Sequence, residues 1–324
     1  MSMNSPLTLY DFEPDLTSVY QEILPGLQKS PKALTDRINY DEEGSKMFER
    51  ICELPEYYVT RTETALLQQH IAEITDLIGK EVLLIEYGSG NSQKTRLLLD
   101  ALPQMVGYIP IDISKEFLLQ SATELAQRYP HLEILPVCAD YDQPFELPHP
   151  RKAAARRVAF YPGSTIGNRP PQDAVNFLHR IRLACGDNGA LLIGVDLKKA
   201  PHILEAAYND GAGICATFSR SGLRWLNQEL SSNFQIDQFA HKAIYNEAMG
   251  RVEIYLVSMQ EQSVSLNERL IHFNAGEQIW RAYSYKYSPA EFADLAAQAG
   301  WRVQKVWIDE QQLFSVQYLT AVSG

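Results

Sequence analysis

The period of hydrophobic and polar positions changes sharply after residue 82. Val82-Leu-Leu-Ile85 is an unbroken apolar run that meets Glu86, Tyr87 and then Gly-Ser-Gly. A run of this kind bounded by glycines predicts a strand buried on both faces. From Ser92 the apolar spacing turns helical, with Leu97, Leu98, Leu99 and Leu102 on one face and Lys94 and Arg96 off it. Strand, tight turn and helix start follow one another within this stretch. The alternation then repeats. Strands are predicted over residues 108–113, 132–138, 157–161 and 190–196, and helices over 115–129 and 171–185. Strands and helices in this order give a parallel, doubly wound α/β sheet of the Rossmann-like kind.

Either side of this block the pattern differs. Helical spacing covers residues 15–27, 29–40 and 45–51, Pro55 ends that segment, and an amphipathic helix over 62–77 leads into the first strand. Past residue 196 the chain predicts a helix over 202–208, a bend over 210–213, a helix over 220–230, and strands over 239–246, 251–258 and 277–287. This is an α+β insertion. Ser288-Pro-Ala-Glu291 is a capping-box signature, and residues 303–309 and 313–321 predict a closing hairpin. The expected division is a sheet domain over 62–196 and 287–324. A second, discontinuous α+β substrate domain takes 1–61 and 197–286.

Composition narrows the partners. The 324 residues are 45% hydrophobic and 21% charged, as in a soluble globular protein. The net charge of −11, with no basic run, disfavours nucleic acid. Four scattered cysteines (Cys52, Cys138, Cys185, Cys215), an acidic start and no membrane-length apolar run lead us to expect a cytoplasmic protein without a membrane partner. A monomer is compatible with all of this. The seven histidines show no ligand spacing, so no metal is expected.

The glycine turn carries the chemistry. Gly88 and Gly90 can take positive φ and let a ligand approach the backbone, at a helix start that favours negative charge. A dinucleotide fingerprint places a third glycine where this chain has Gln93. Asp112 stands at the distance where an acid grips ribose hydroxyls, and Asp140-Tyr141 offers an acid and a ring for an adenine. Together these point to S-adenosylmethionine. The rivals are a nicotinamide-dependent oxidoreductase, a macromolecular methyltransferase, and a cofactor-binding homologue that does no catalysis.

LPEYYVTRTE, IEYGSGNSQKTR, YIPIDIS, GSTIGN, the Ala207-Tyr208-Asn-Asp-Gly region and SYKYS occur in this order. Over nearly its whole length the chain resembles the histidine-specific Nα-methyltransferases of ergothioneine biosynthesis and the related fungal dimethylallyltryptophan N-methyltransferases. The resemblance implies a class I methyltransferase fold. It implies S-adenosylmethionine contacts at Gly88, Lys94, Asp112, Asp140 and Tyr141. Asn168 and Tyr208 would hold the α-carboxylate of an amino acid, the Gly163 backbone and Tyr40 would lie by its amine, and Tyr57 and Ser284 would face its side chain. Asn168, Tyr40 and Gly163 are thus the candidate catalytic positions. Read without the family, GSTIGN is equally a strand-ending turn with Asn168 in the left-handed region, and the tyrosines are ordinary packing aromatics.

The chain departs from the family at two positions. Where the histidine enzymes place a glutamate against the imidazole it has Ala282, and where they place a methionine it has Ile254. The lost charge-assisted hydrogen bond is worth about 1.5–3 kcal/mol, or about one to two orders of magnitude in affinity. The expectation is iterative Nα-methylation of a free aromatic amino acid, tryptophan- or tyrosine-like, to the betaine. The alternative is Nα-trimethylation of histidine, with Glu253 or Glu277 serving as a displaced acid. The amine must lose its proton, and water near Tyr40 or Tyr57 is the expected route.

Overall fold

The protein is described by a computed structural model over residues 7–12, 16–39, 42–90, 92–267 and 269–322. The chain forms two compact units. One comprises Met1–Pro14, Val59–Lys198 and Lys286–Gly324, the other Asp15–Tyr58 and Lys199–Tyr285.

The first unit is built on a mixed sheet of nine strands among the described residues. From one edge the order is Tyr10–Asp11, Val137–Cys138, Gly107–Asp112, Val82–Tyr87, Arg156–Tyr161, Ala190–Asp196, Phe314–Ala321 and Trp301–Ile308, with Glu133–Ile134 also paired to Gly107–Asp112. Pairing is parallel as far as Ala190–Asp196, and Phe314–Ala321 and Trp301–Ile308 close the far edge antiparallel. Every residue of Val82–Tyr87 and Ala190–Asp196 is buried, which is why these strands read as continuous apolar runs rather than alternating ones. The predicted strand over 132–138 is split in two around Pro136, which has no N–H to give a ladder. Tyr10–Asp11 adds an edge strand that the hydrophobic pattern does not announce. The helix Pro289–Gln298 starts with the expected reciprocal cap between Ser288 and Glu291.

The second unit holds a four-stranded sheet ordered Lys32–Ala33, Gln278–Tyr285, Arg251–Ser258 and Phe239–Asn246. Helices Leu16–Gln28, Glu42–Cys52, Pro201–Tyr208 and Ile214–Glu229 accompany it. Ile23, Leu27, Leu223, Leu226, Phe239, Leu256 and Phe273 share its core. The predicted helix over 29–40 does not form. Pro31 interrupts it, Lys32–Ala33 pairs with Ile279 and Trp280, and only a short 3-10 turn, Asp36–Asn39, follows. A further hairpin, Gln262–Leu266 with Arg269–Phe273, lies where no element was expected. Among the described residues no helix is long and apolar enough to cross a membrane.

Candidate active site

Val82–Tyr87 and Arg156–Tyr161 pair in parallel from Val82↔Arg156 to Glu86↔Phe160. The chain builds the sheet outward on one side of this pair and then on the other, so their carboxyl ends flank a topological switch point, the usual ligand crevice of open α/β sheets. Beyond one end lies Gly88-Ser-Gly90, beyond the other Pro162-Gly163-Ser164. Gly88, Gly90 and Gly163 have φ of 75°, 50° and 77°, a region where a side chain would be strained. A Cβ at Gly88 would face the Tyr141 hydroxyl at 3.7 Å, and one at Gly163 would lie 3.7 Å from Lys94 Nζ. The left-handed positions of the second turn are thus Gly163 and Ser164. Asn168 is instead an exposed residue of the 3-10 turn Thr165–Asn168.

Two acids stabilise the first turn. Asp112, at the end of Gly107–Asp112, accepts the Gly90 N–H at 3.0 Å and the Ser114 N–H at 3.0 Å. Burial nevertheless holds its carboxyl above the usual carboxylate range. Glu86 is 1% exposed and accepts a hydrogen bond from the Tyr108 hydroxyl. Burial pushes its carboxyl up to about 8. Tyr108 Oη lies 3.4 Å from Ser92 Oγ, which in turn accepts from Ser121 Oγ at 3.2 Å. This buried polar network fixes the point where strand becomes helix.

Asp140 and Tyr141 follow the strand Val137–Cys138, which pairs with Ile111 and Asp112. Asp140 Oδ1 accepts the Asp142 N–H at 3.0 Å, forming the turn that presents Tyr141. The Tyr141 ring stands among Tyr87, Tyr161 and Phe177 at centroid distances of 5.6–6.4 Å. Arg169 lies over Phe177 at 4.0 Å and pairs with Asp142 at 2.5 Å. Gly88, Lys94, Asp112, Tyr141 and Gly163 are therefore brought to one edge of one unit. Among the described residues Ser89 Oγ, in the glycine turn, is buried with no hydrogen-bond partner. An orphaned hydroxyl there, beside left-handed glycines and an aromatic wall, fits a polar ligand with an aromatic part.

The other candidates gather in the second unit. Arg251–Ser258 pairs antiparallel with Gln278–Tyr285, placing Ile254 opposite Ala282 and Val252 opposite Ser284. Alternate residues share a face, so Ile254, Ala282 and Ser284 do so. The helix Pro201–Tyr208 covers it through Leu204, which clusters with Ala243 and Val252, and Tyr208 and Ile254 both pack against that cluster. The Tyr208 hydroxyl and Ser284 Oγ are 2.8 Å apart. Tyr57 meets Tyr208 edge-on at 6.0 Å and Phe48 at 6.4 Å. Tyr40 lies outside the described residues.

Both displaced acids are engaged elsewhere, Glu253 through the strand's alternation. Glu253 turns to the opposite face, where it accepts from Arg251 Nε at 2.8 Å, Asn246 Nδ2 at 3.1 Å and the Tyr255 hydroxyl at 2.6 Å. Glu277 pairs with Lys32 and accepts the Asn274 N–H.

Three residues that the sequence reading passed over shape these clusters. His241 Nε2 donates to the Tyr208 carbonyl at 2.7 Å, and burial lowers its pKa. Asn209 bonds both the carbonyl and the N–H of Ala243, tying the helix end to the strand. Glu63 is 0% exposed, accepts the Gly163 N–H with both oxygens at 3.0 and 2.8 Å, and forms an ion pair with Lys94.

Comparison with known proteins gives one consistent answer. Residues 19–321 match the model of a family described as histidine-specific, SAM-dependent methyltransferase. A histidine N-alpha-methyltransferase of Mycolicibacterium smegmatis is 36% identical over 295 residues, 89% of this chain and 90% of that protein. One from Mycobacterium tuberculosis is 37% identical over 297 residues, 90% of this chain and 91% of that protein. A 4-dimethylallyltryptophan N-methyltransferase of Epichloe festucae var. lolii is 25% identical over 322 residues, 90% and 92% of the two chains.

Proposed function

Because the chain belongs to the SAM-dependent, histidine-specific methyltransferase family, we propose that it methylates the α-nitrogen of a free aromatic amino acid, tryptophan- or tyrosine-like, successively to the betaine. Gly88, Lys94, Asp112, Asp140 and Tyr141 are the residues that would hold S-adenosylmethionine. When bound, it supplies an electrophilic methyl group. The chain's own work is then alignment of the nucleophile and exclusion of competing water.

The observation that carries the substrate reading is the cross-strand pair Ile254↔Ala282. The face that presents it carries hydroxyl groups, from Ser284 and Tyr208, while Glu253 and Glu277 are engaged elsewhere. Hydroxyls beside an alanine and an isoleucine suit an indole N–H or a phenol, and leave an imidazolium without a counter-charge. Histidine is the second reading, favoured by the names of the two mycobacterial relatives. Calorimetric titration with free amino acids, in the presence of S-adenosylhomocysteine, distinguishes them. Tightest binding by tryptophan or tyrosine is the expected result, and tightest binding by histidine overturns the proposal.

A further inference from the structure

Glu63 lies in the helix Tyr58–Ile78, on the stripe that also carries Val59, Leu66, Leu67 and Ile74, all of them buried. An acid on such a stripe is costly unless every oxygen is used. Here both are. Oε1 and Oε2 share the Gly163 N–H, and Oε2 also carries the Lys94 ammonium, whose side chain is 16% exposed. The slot is tight on the far side, since a Cβ at Gly194 would lie 1.9 Å from Glu63 Oε1. The peptide that Glu63 grips is pinned at its other end too, because Thr165 Oγ1 donates to the Pro162 carbonyl at 2.9 Å. One buried carboxylate therefore joins the lysine beside the glycine turn after Val82–Tyr87 to the backbone of the turn after Arg156–Tyr161.

We infer that Glu63 is a positioning residue that couples the two ligand sites, so that occupancy of the Lys94 side strengthens binding at the Gly163 turn. The inference rests on the proposed assignment of Lys94 to the cofactor and Gly163 to the amino acid. An incoming carboxylate competes with Glu63 for the Lys94 ammonium. As the ammonium turns toward it, the Glu63 charge is left to the Gly163 N–H, and a charge-assisted bond to a single donor holds that peptide more firmly. Coupling of this kind is reciprocal: whatever one ligand does to the affinity of the other is returned by the same factor.

Calorimetry on the full chain tests it without turnover. The affinity for L-tryptophan, with L-histidine in parallel, is measured in the absence and presence of saturating S-adenosylhomocysteine. The expected wild-type result is tighter amino-acid binding with the nucleoside present, by about tenfold, within the usual range for two-site coupling. In Glu63→Gln, which keeps the shape and loses the charge, the ratio falls to about one while tryptophan alone still binds. Lys94→Met removes the other end of the link and abolishes the ratio in the same way, so it serves if the Glu63 variant does not fold. An unchanged ratio in both variants, or a wild-type ratio of one, overturns the inference and leaves the proposed function standing. A wild-type chain that binds neither ligand overturns both.

Discussion

At the scale of single residues, position 282 bears most directly on the proposed substrate. Ala282 stands opposite Ile254, where the antiparallel register shifts by one residue between Ile254 and Tyr255, on the face shared with Ser284. Ala282→Glu would place a carboxylate there with hydroxyl neighbours to orient it. A charge-assisted hydrogen bond to a buried ring N–H is worth about 1.5–3 kcal/mol. The ratio of histidine to tryptophan affinity is therefore expected to rise by about one to two orders of magnitude. Calorimetry with both amino acids reads the change, and a ratio that does not move toward histidine contradicts the assignment of this face. The geometry of the glycine turn was legible in the sequence because it attaches to a local motif: Gly88 and Gly90 follow a strand at once, and Asp112 ends the next. Glu63 was not. Its partner Gly163 is distant in the chain, and the only trace in the sequence is an acid on the apolar stripe of a helix.

At the scale of elements, legibility follows from uninterrupted period. The predicted bounds 171–185, 190–196, 239–246 and 251–258 coincide with Pro171–Cys185, Ala190–Asp196, Phe239–Asn246 and Arg251–Ser258, because each keeps one period between clear turns, and Gly194 does not break the apolar run that surrounds it. The hairpin Gln262–Leu266 with Arg269–Phe273 was missed for the opposite reason. Its strands are short, and polar residues alternate with apolar ones too few to outweigh a loop reading. The junction of Val82–Tyr87 with the helix Gln93–Ala101 allows a sharper test, through the network of Glu86, Tyr108, Ser92 and Ser121. Burial raises the Glu86 carboxyl from an ordinary 4.5 to about 8. Between those values the folded chain keeps a proton that the unfolded chain releases, so stability falls as pH rises through that window. Glu86→Gln stays neutral throughout. Thermal melts at pH 5 and pH 8 are expected to show the variant gaining on the wild type as pH rises, and a constant difference between the two melting temperatures contradicts the buried, protonated state.

At the scale of the whole molecule, an acidic chain with a mixed α/β sheet unit and a discontinuous α+β unit belongs to a family of small-molecule methyltransferases. The order of its motifs made the family legible, since several blocks in register constrain a chain far more than one glycine turn does. The N-terminal residues were less so. Tyr10–Asp11 joins the sheet through two residues of parallel pairing, too short a strand to leave a hydrophobic period. The substrate depends on side-chain geometry that motif order does not carry. The most direct test is mass spectrometry of the products formed when the purified chain is given isotopically labelled S-adenosylmethionine and a mixture of all the proteinogenic amino acids. Our account predicts label on tryptophan or tyrosine, accumulating to the trimethylated form. Label confined to histidine, or to no amino acid at all, would contradict it.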